Sequence, residues 1–136
     1  MTEKLLYVVA ANFEAARRVS ILPEGHRSRN LHGHSFLAKV RCALPDGWAS
    51  FPGGEVRELR EGLASIVAPL DYNELNQELE QPTDENLARW VRAQAAFPGI
   101  ESVGVQSTLH EGVDLDNDEH AHVWRRYIFQ SAHRLP

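Results

Sequence analysis

The chain has few of the features that would narrow its class at once. Its single cysteine, Cys42, cannot form an internal disulfide and lies in an apolar, strand-like run, so we expect a buried, unreactive thiol. No apolar run approaches the roughly 20 residues of a membrane-spanning helix, and the first residues lack the features of a secretory signal. A net charge of -5 with scattered basic residues does not suit a nucleic-acid surface. We therefore expect a cytoplasmic globular domain without membrane or nucleic-acid partners.

Apolar periodicity predicts an α+β domain. Four segments have strand-like patterns, namely residues 5–13, 36–44, 100–111 and 123–129. Between the second and third segments, apolar residues recur every three or four positions from residue 55 to about residue 69, which indicates a helix. A second helix is predicted after Thr83, whose hydroxyl can cap it. The order predicts an antiparallel sheet with two helices on one face.

Two histidines, His32 and His34, flank Gly33 directly in front of the second predicted strand. Alternate side chains of a strand point the same way, so the two imidazoles could hold a metal from one side. A catalytic zinc ion needs three protein ligands, however, and a second interpretation is that both rings are simply hydrogen-bonded where the loop meets the strand. Four arginines nearby would suit either a phosphate or a solvated surface, namely Arg17, Arg18, Arg27 and Arg29.

Residues 25–36 closely resemble the zinc-site segment of the 6-pyruvoyltetrahydropterin synthase and 6-carboxytetrahydropterin synthase family. Three further segments resemble that family in the same order, namely residues 13–16, 70–76 and 82–88. The resemblance implies the tunnelling fold, in which a four-stranded antiparallel sheet carries two helices and several copies close into a multi-subunit barrel. It also implies a zinc-dependent lyase whose active sites lie between subunits.

The positions that carry the chemistry of that family are changed in this chain. Arg17 stands where the resemblance implies the third zinc ligand, and a guanidinium stays protonated and offers only donors. Ser28 stands where the family has its catalytic cysteine. Asp71 is retained, but Tyr72 replaces the histidine that follows it in the family. We therefore interpret Ser28, Asp71 and Tyr72 as degenerate catalytic positions.

The residues that would bind a pterin are also altered. Ser107, followed by Thr108, replaces the glutamate that the resemblance implies as the anchor of the pterin ring. Glu111 could substitute for it only if the strand slips or bulges. A further interpretation is a pterin or purine pocket without turnover, and we predict that Thr83, Glu85, Ser107 and Thr108 would line it.

The C-terminal residues contain a second clue. Residues 129–135 echo residues 13–19, and His133 stands at the place that matches Arg17. In the interpretation that we favour, residues 1–122 form a pterin synthase-like domain and residues 123–136 are a strand that resembles the start of a second one. Alternatively, His133 completes a three-histidine zinc site with His32 and His34, in the same or a neighbouring subunit. A chance likeness is the third possibility.

The sequence thus predicts a catalytically degenerate pterin synthase-like domain, without a cofactor. It would be the structural, regulatory or pterin-binding partner of a zinc-competent copy, either within a homo-oligomer or beside a second such domain. The alternative is a zinc-dependent 6-carboxy- or 6-pyruvoyltetrahydropterin synthase, a lyase acting on dihydroneopterin triphosphate in queuosine or pterin biosynthesis. Its zinc ligands would be His32, His34 and His133.

Overall fold

Residues 3–134, which the computed structural model describes, form six strands and two α-helices in one sheet-and-helix unit. In chain order these elements are β1 (Tyr7–Arg17), β2 (His32–Cys42), α1 (Glu55–Val67), β3 (Asn73–Glu74), α2 (Asp84–Gln94), β4 (Ile100–Thr108), β5 (Glu111–Leu115) and β6 (Ala121–Arg125). Met1, Thr2, Leu135 and Pro136, at the ends of the predicted domains 1–122 and 123–136, lie outside the described residues.

The strands form one sheet in the order β3, β1, β2, β4, β5, β6. All neighbouring pairs are antiparallel except β1 and the two-residue β3, which run parallel. Along the β1–β2 pair, Arg17 lies opposite His32, and Ala15 lies opposite His34. The ends of β1 and β2 therefore bring Arg17 next to the two histidines.

The prediction of a sheet with two helices is confirmed, but the prediction of four strands is wrong. Residues 100–111 are not one strand, because the chain reverses at Leu109 and His110 and then forms β5. Val113 and Leu115 in β5 are buried while Asp114 is exposed, so β5 has the usual alternation of a strand although Asp114 makes the segment look polar. The last strand, β6, also ends earlier than predicted, at Arg125.

The core lies between the sheet and the two helices. Alternate residues of β1 and β2 enter it, and the rings of Phe13 and Phe36 stack with their centroids 5.0 Å apart. The helices contribute Leu59, Leu63 and Val67 from α1 and Leu87, Ala88 and Val91 from α2. Val56, which the periodicity places on the apolar stripe of α1, is 50% exposed. Cys42 is buried, as the sequence predicts, and burial raises the pKa of its thiol to about 11. No helix within residues 3–134 is long and apolar enough to span a membrane.

Two local features of this fold position side chains near Arg17, namely the N-terminal cap of α2 and a register shift between β4 and β5. Thr83 caps α2, because its Oγ1 accepts a hydrogen bond from the backbone N–H of Asn86 at 3.2 Å. The pairing of β4 with β5 shifts register between Gln106 and Thr108, so that Thr108 lies opposite Glu111. A register shift of this kind redirects the neighbouring side chains, and it brings the carboxylate of Glu111 close to Ser107.

Candidate functional site

Arg17, the last residue of β1, is buried, with 8% of its surface exposed. Its Nη1 donates hydrogen bonds to Oδ1 of Asp84 at 2.6 Å and to the carbonyl oxygen of Pro82 at 3.0 Å. The guanidinium carbon also lies 5.1 Å from the centroid of the Phe36 ring, within the range of a cation–π contact. The guanidinium is thus fixed between the sheet and the start of α2.

One atom of Arg17 has no partner: Nε is buried and makes no hydrogen bond within the described chain. Only 12% of the Asp84 side chain is exposed, so the ion pair is shielded from water. Taking one partner away would leave an uncompensated charge in a poorly solvated place. The pair is therefore a structural link between β1 and α2 as well as part of the site.

The two histidines lie side by side, as their spacing predicts, with ring centroids 4.8 Å apart. Nδ1 of His32 lies 2.8 Å from the carbonyl oxygen of Asn30. Since a carbonyl can only accept, Nδ1 carries a proton, which in the neutral form of the ring leaves the lone pair on Nε2. The pKa of His34 is lowered, mainly by burial and then by the positive charge of Arg17 and by His32.

These donors do not fit a zinc ion. Within residues 3–134, the ligand atoms of His32 and His34 belong to no group of three His, Cys, Asp or Glu ligand atoms that lie within 4.8 Å of one another. Arg17, which lies opposite His32, has no lone pair to offer a metal. The positive charge that makes it harder to protonate His34 would also repel a divalent cation.

Ser107 connects the ion pair to Glu111. Its side chain is 1% exposed, and its Oγ donates a hydrogen bond to Oδ2 of Asp84 at 2.9 Å. Oε1 of Glu111 lies 3.5 Å from the same Oγ, and Nη2 of Arg125 lies 3.3 Å from Oε2 of Glu111. The register shift that Glu111 needs in order to substitute for the missing glutamate is present, so its carboxylate lies beside Ser107.

A cavity of about 290 Å³ opens next to this network. Its wall includes Arg17, Ser28, His32, Thr83, Glu85, Glu111 and Trp124. Ser107 and Thr108 do not line it, since Ser107 is bonded behind the wall and Oγ1 of Thr108 accepts a hydrogen bond from the backbone N–H of His110. Of the four predicted pocket residues, the structure places Thr83 and Glu85 on the wall. Sequence reasoning missed Trp124 because it read its segment only as a terminal strand.

Asp71 and Tyr72 lie at a different cavity. Oδ1 of Asp71 accepts a hydrogen bond from the backbone N–H of Glu14 at 2.8 Å, so this carboxylate holds the chain rather than facing Ser28. Tyr72 is 84% exposed, has a φ of 56° and lines a second cavity, of about 490 Å³, together with Glu14 and His34. Ser28 and Tyr72 therefore line different cavities of this chain.

His133 lies in the stretch after β6, in neither a helix nor a strand, and it is exposed. It lines neither of the two cavities. The structure instead groups Asp116, Asp118 and His120 in the turn between β5 and β6, with ligand atoms within 4.8 Å of one another. Such a set of oxygen and nitrogen ligands could bind a divalent cation, so it matters for any metal analysis of this chain. In the sequence Asp116 and Asp118 are recognisable only as part of an acidic stretch, residues 114–119.

The geometry and the comparisons with known proteins agree on the class: an α+β domain with the sheet and two helices of pterin synthases. Residues 7–112 match the family model described as 6-pyruvoyl tetrahydropterin synthase. The match extends over well more than half of the chain, which therefore belongs to the 6-pyruvoyl tetrahydropterin synthase family. The resemblance noted in the sequence is confirmed.

Individual relatives are distant. The chain is 29% identical over 103 residues to the dihydroneopterin monophosphate aldolase of Pyrococcus furiosus, covering 73% of this chain and 82% of that protein. It shares its fold with 6-pyruvoyl tetrahydropterin synthase of Caenorhabditis elegans, at 15% identity and a TM-score of 0.56, covering 93% of this chain and 100% of that one. An uncharacterized protein from Wolinella succinogenes is similar at 16% identity and a TM-score of 0.53, with 83% and 99% covered.

Proposed function

We propose that this chain is a catalytically degenerate member of the family. It binds a pterin- or purine-like heterocycle in the 290 Å³ cavity, without zinc-dependent lyase chemistry, and acts beside a zinc-competent copy. The observation that carries the proposal is the buried ion pair of Arg17 with Asp84 at the place of the third zinc ligand. A guanidinium there provides a fixed positive charge but no lone pair for a metal.

The cavity suits a flat heterocycle with neighbouring N–H groups. The Glu111 carboxylate can accept two parallel hydrogen bonds, as from the amino group and ring N–H of an amino-oxo heterocycle. Trp124 offers an aromatic surface on the same wall. The volume of 290 Å³ is close to the lower end, about 300 Å³, of the usual range for small-molecule sites.

The proposed partner role is supported by the separation of the altered positions. Ser28 lines the cavity beside Arg17, whereas Tyr72 lines the other cavity. A site that used both would need a second copy or a second domain next to this one. Within residues 123–136, residues 123–125 complete β6 of this sheet. We propose that the chain after them begins such a domain, because residues 129–135 echo residues 13–19 and carry His133 at the place of Arg17.

Zinc content tests the absence of the lyase site. We expect protein purified without chelator to hold no zinc that depends on His32. Elemental analysis should be made on the unaltered chain, on His32→Ala and on His120→Ala, because the β5–β6 turn offers a separate set of ligands. Near-stoichiometric zinc that is lost in His32→Ala and kept in His120→Ala would overturn the proposal.

Heterocycle binding is tested by fluorescence titration with 7,8-dihydroneopterin. We expect saturable binding that weakens at least tenfold in Glu111→Gln, because the neutral amide loses the charge and one of the two acceptors. Glu61→Gln is the matched control, since Glu61 lies on the exposed face of α1 and, within residues 3–134, its carboxylate pairs only with Arg57. No binding to the unaltered chain, or equal binding by Glu111→Gln, would contradict the proposed pocket.

One observation favours the zinc-dependent synthase as a second candidate. The hydrogen bond between Nδ1 of His32 and Asn30 leaves Nε2 free, and histidines that bind metals are commonly oriented in this way. His133 from the same or a neighbouring chain would supply the third ligand. In that case His133→Ala would remove zinc as completely as His32→Ala, and the unaltered chain would turn over dihydroneopterin triphosphate.

A further inference from the structure

The charges around the cavity beside Arg17 are unusual for a site that would take a phosphorylated ligand. Its wall carries three carboxylates, from Asp84, Glu85 and Glu111, and two guanidiniums, from Arg17 and Arg125. Leaving its imidazoles aside, the wall thus has one negative charge in excess. A phosphate group brings further negative charge, which this wall would repel.

Both guanidiniums on this wall are already engaged. Arg17 is paired with Asp84, at 2.6 Å, and Arg125 with Glu111, at 3.3 Å. Within the described part of the chain, Glu85 has no lysine, arginine or histidine nitrogen within the 4.0 Å of an ion pair. The excess negative charge is therefore concentrated at Glu85, at the N-terminal turn of α2.

The other arginines that the sequence places near His32 do not compensate this charge. Nε of Arg18 lies 3.9 Å from Glu74, and Nη1 of Arg29 donates to the carbonyl oxygen of Leu22. Neither these two nor Arg27 lines the cavity. The four arginines thus do not converge on one phosphate site.

We propose that this cavity selects the unphosphorylated form of an amino-oxo heterocycle and rejects its phosphate esters. This inference rests on the proposed function and adds the chemical class of the ligand to it. Glu111 would hold the N–H groups of the ring, while Glu85 would repel a phosphate on the substituent of the ring. The cation that lies beside the histidines is the guanidinium of Arg17. Because Asp84 already neutralises it, Arg17 does not offset the repulsion of a phosphate.

Matched ligand pairs test the inference. The unaltered chain is titrated at pH 8 and low ionic strength with 7,8-dihydroneopterin and its triphosphate, and then with guanosine and guanosine monophosphate. We expect each phosphorylated ligand to bind at least tenfold more weakly than its partner. Added salt should reduce this difference in affinity, because it screens the repulsion between the phosphate and the carboxylates.

Variants locate the effect. Glu85→Gln should reduce the ratio of the two dissociation constants, phosphorylated to unphosphorylated, at least threefold. Glu85→Asp retains the carboxylate and should retain the ratio. Glu61→Gln should leave it unchanged. Circular dichroism of each variant shows whether α2 remains folded. If phosphorylated ligands bind equally well or more tightly, the inference is overturned while the heterocycle site stands. If neither member of any pair binds, the proposed function fails.

Discussion

Nη1 of Arg17 lies 2.6 Å from Oδ1 of Asp84, and the two residues are 67 positions apart in the chain. This contact joins the end of the first strand to the first turn of the second helix. It also places a protonated side chain where the family resemblance implies a metal ligand. The stability of the fold and the chemistry of the site therefore depend on the same pair.

Asp84→Ala should destabilise the protein by about 3 to 5 kcal/mol, because it leaves the guanidinium of Arg17 buried without its counter-charge. Urea unfolding monitored by circular dichroism measures this change. The exposed pair of Arg57 with Glu61 is the control, and Glu61→Ala should cost less than about 1 kcal/mol. A loss below about 1 kcal/mol for Asp84→Ala would mean that water already compensates Arg17.

Arg17→His should create a zinc site, because it places a third imidazole beside His32 and His34 and removes the repelling charge. Isothermal titration with zinc in a His120→Ala background, which removes a ligand of the turn, should show about one ion per chain. Arg17→Lys keeps a cation at the site and should show none. We expect no lyase activity from Arg17→His with Ser28→Cys, since Tyr72 still replaces the histidine that the family resemblance implies. If Arg17→His binds no zinc, residue 17 does not converge with His32 and His34 as the strand pairing indicates.

The lowered pKa of His34 predicts a pH dependence of stability. Below the ordinary value of 6.5, the unfolded chain takes up a proton at His34 more readily than the folded chain does. The free energy of unfolding should therefore fall as the pH decreases through 6.5 towards the lower pKa of the folded state. His34→Gln should lose this part of the pH dependence. In NMR titrations Arg17→Met should raise the pKa of His34, and an unchanged value would show that Arg17 does not contribute to lowering it.

Tyr72→Gly should stabilise the fold by about 1 kcal/mol, because a non-glycine residue at a φ of 56° is strained. The side chain is 84% exposed, so its removal sacrifices little packing. Tyr127→Gly is a suitable comparison, since Tyr127 is also exposed but has no positive φ, and we expect no gain from it. Chemical unfolding of both variants decides the matter. A loss of stability in Tyr72→Gly would mean that the ring makes contacts that outweigh the strain.

The two helices could be predicted because their signals are local. The apolar stripe of α1 and the Thr83 cap of α2 depend on residues within a few positions of each other. The reversal between β4 and β5 could not be predicted in this way. Leu109 and His110, where the chain turns, are not typical turn residues, and pairing along the sheet imposes the reversal.

The candidate site was predictable only in part. Strand alternation was enough to place His32 and His34 side by side. The role of Glu111 depended on a register shift, which is a property of two paired strands and not of either strand alone. For the same reason the separation of Ser28 from Tyr72 into two cavities had no signal in the sequence.

The sequence alone determined the chemistry of each side chain. In any fold, Arg17 cannot offer a lone pair to a metal, and Tyr72 cannot act as an imidazole. The ordered motifs likewise determined the family. Only the tertiary structure decided which charges neutralise each other, since Arg17 and Asp84 are 67 positions apart and Ser107, which links Asp84 to Glu111, is 23 positions from Asp84. Such contacts depend on how strands and helices pack, and packing is settled by the whole chain at once.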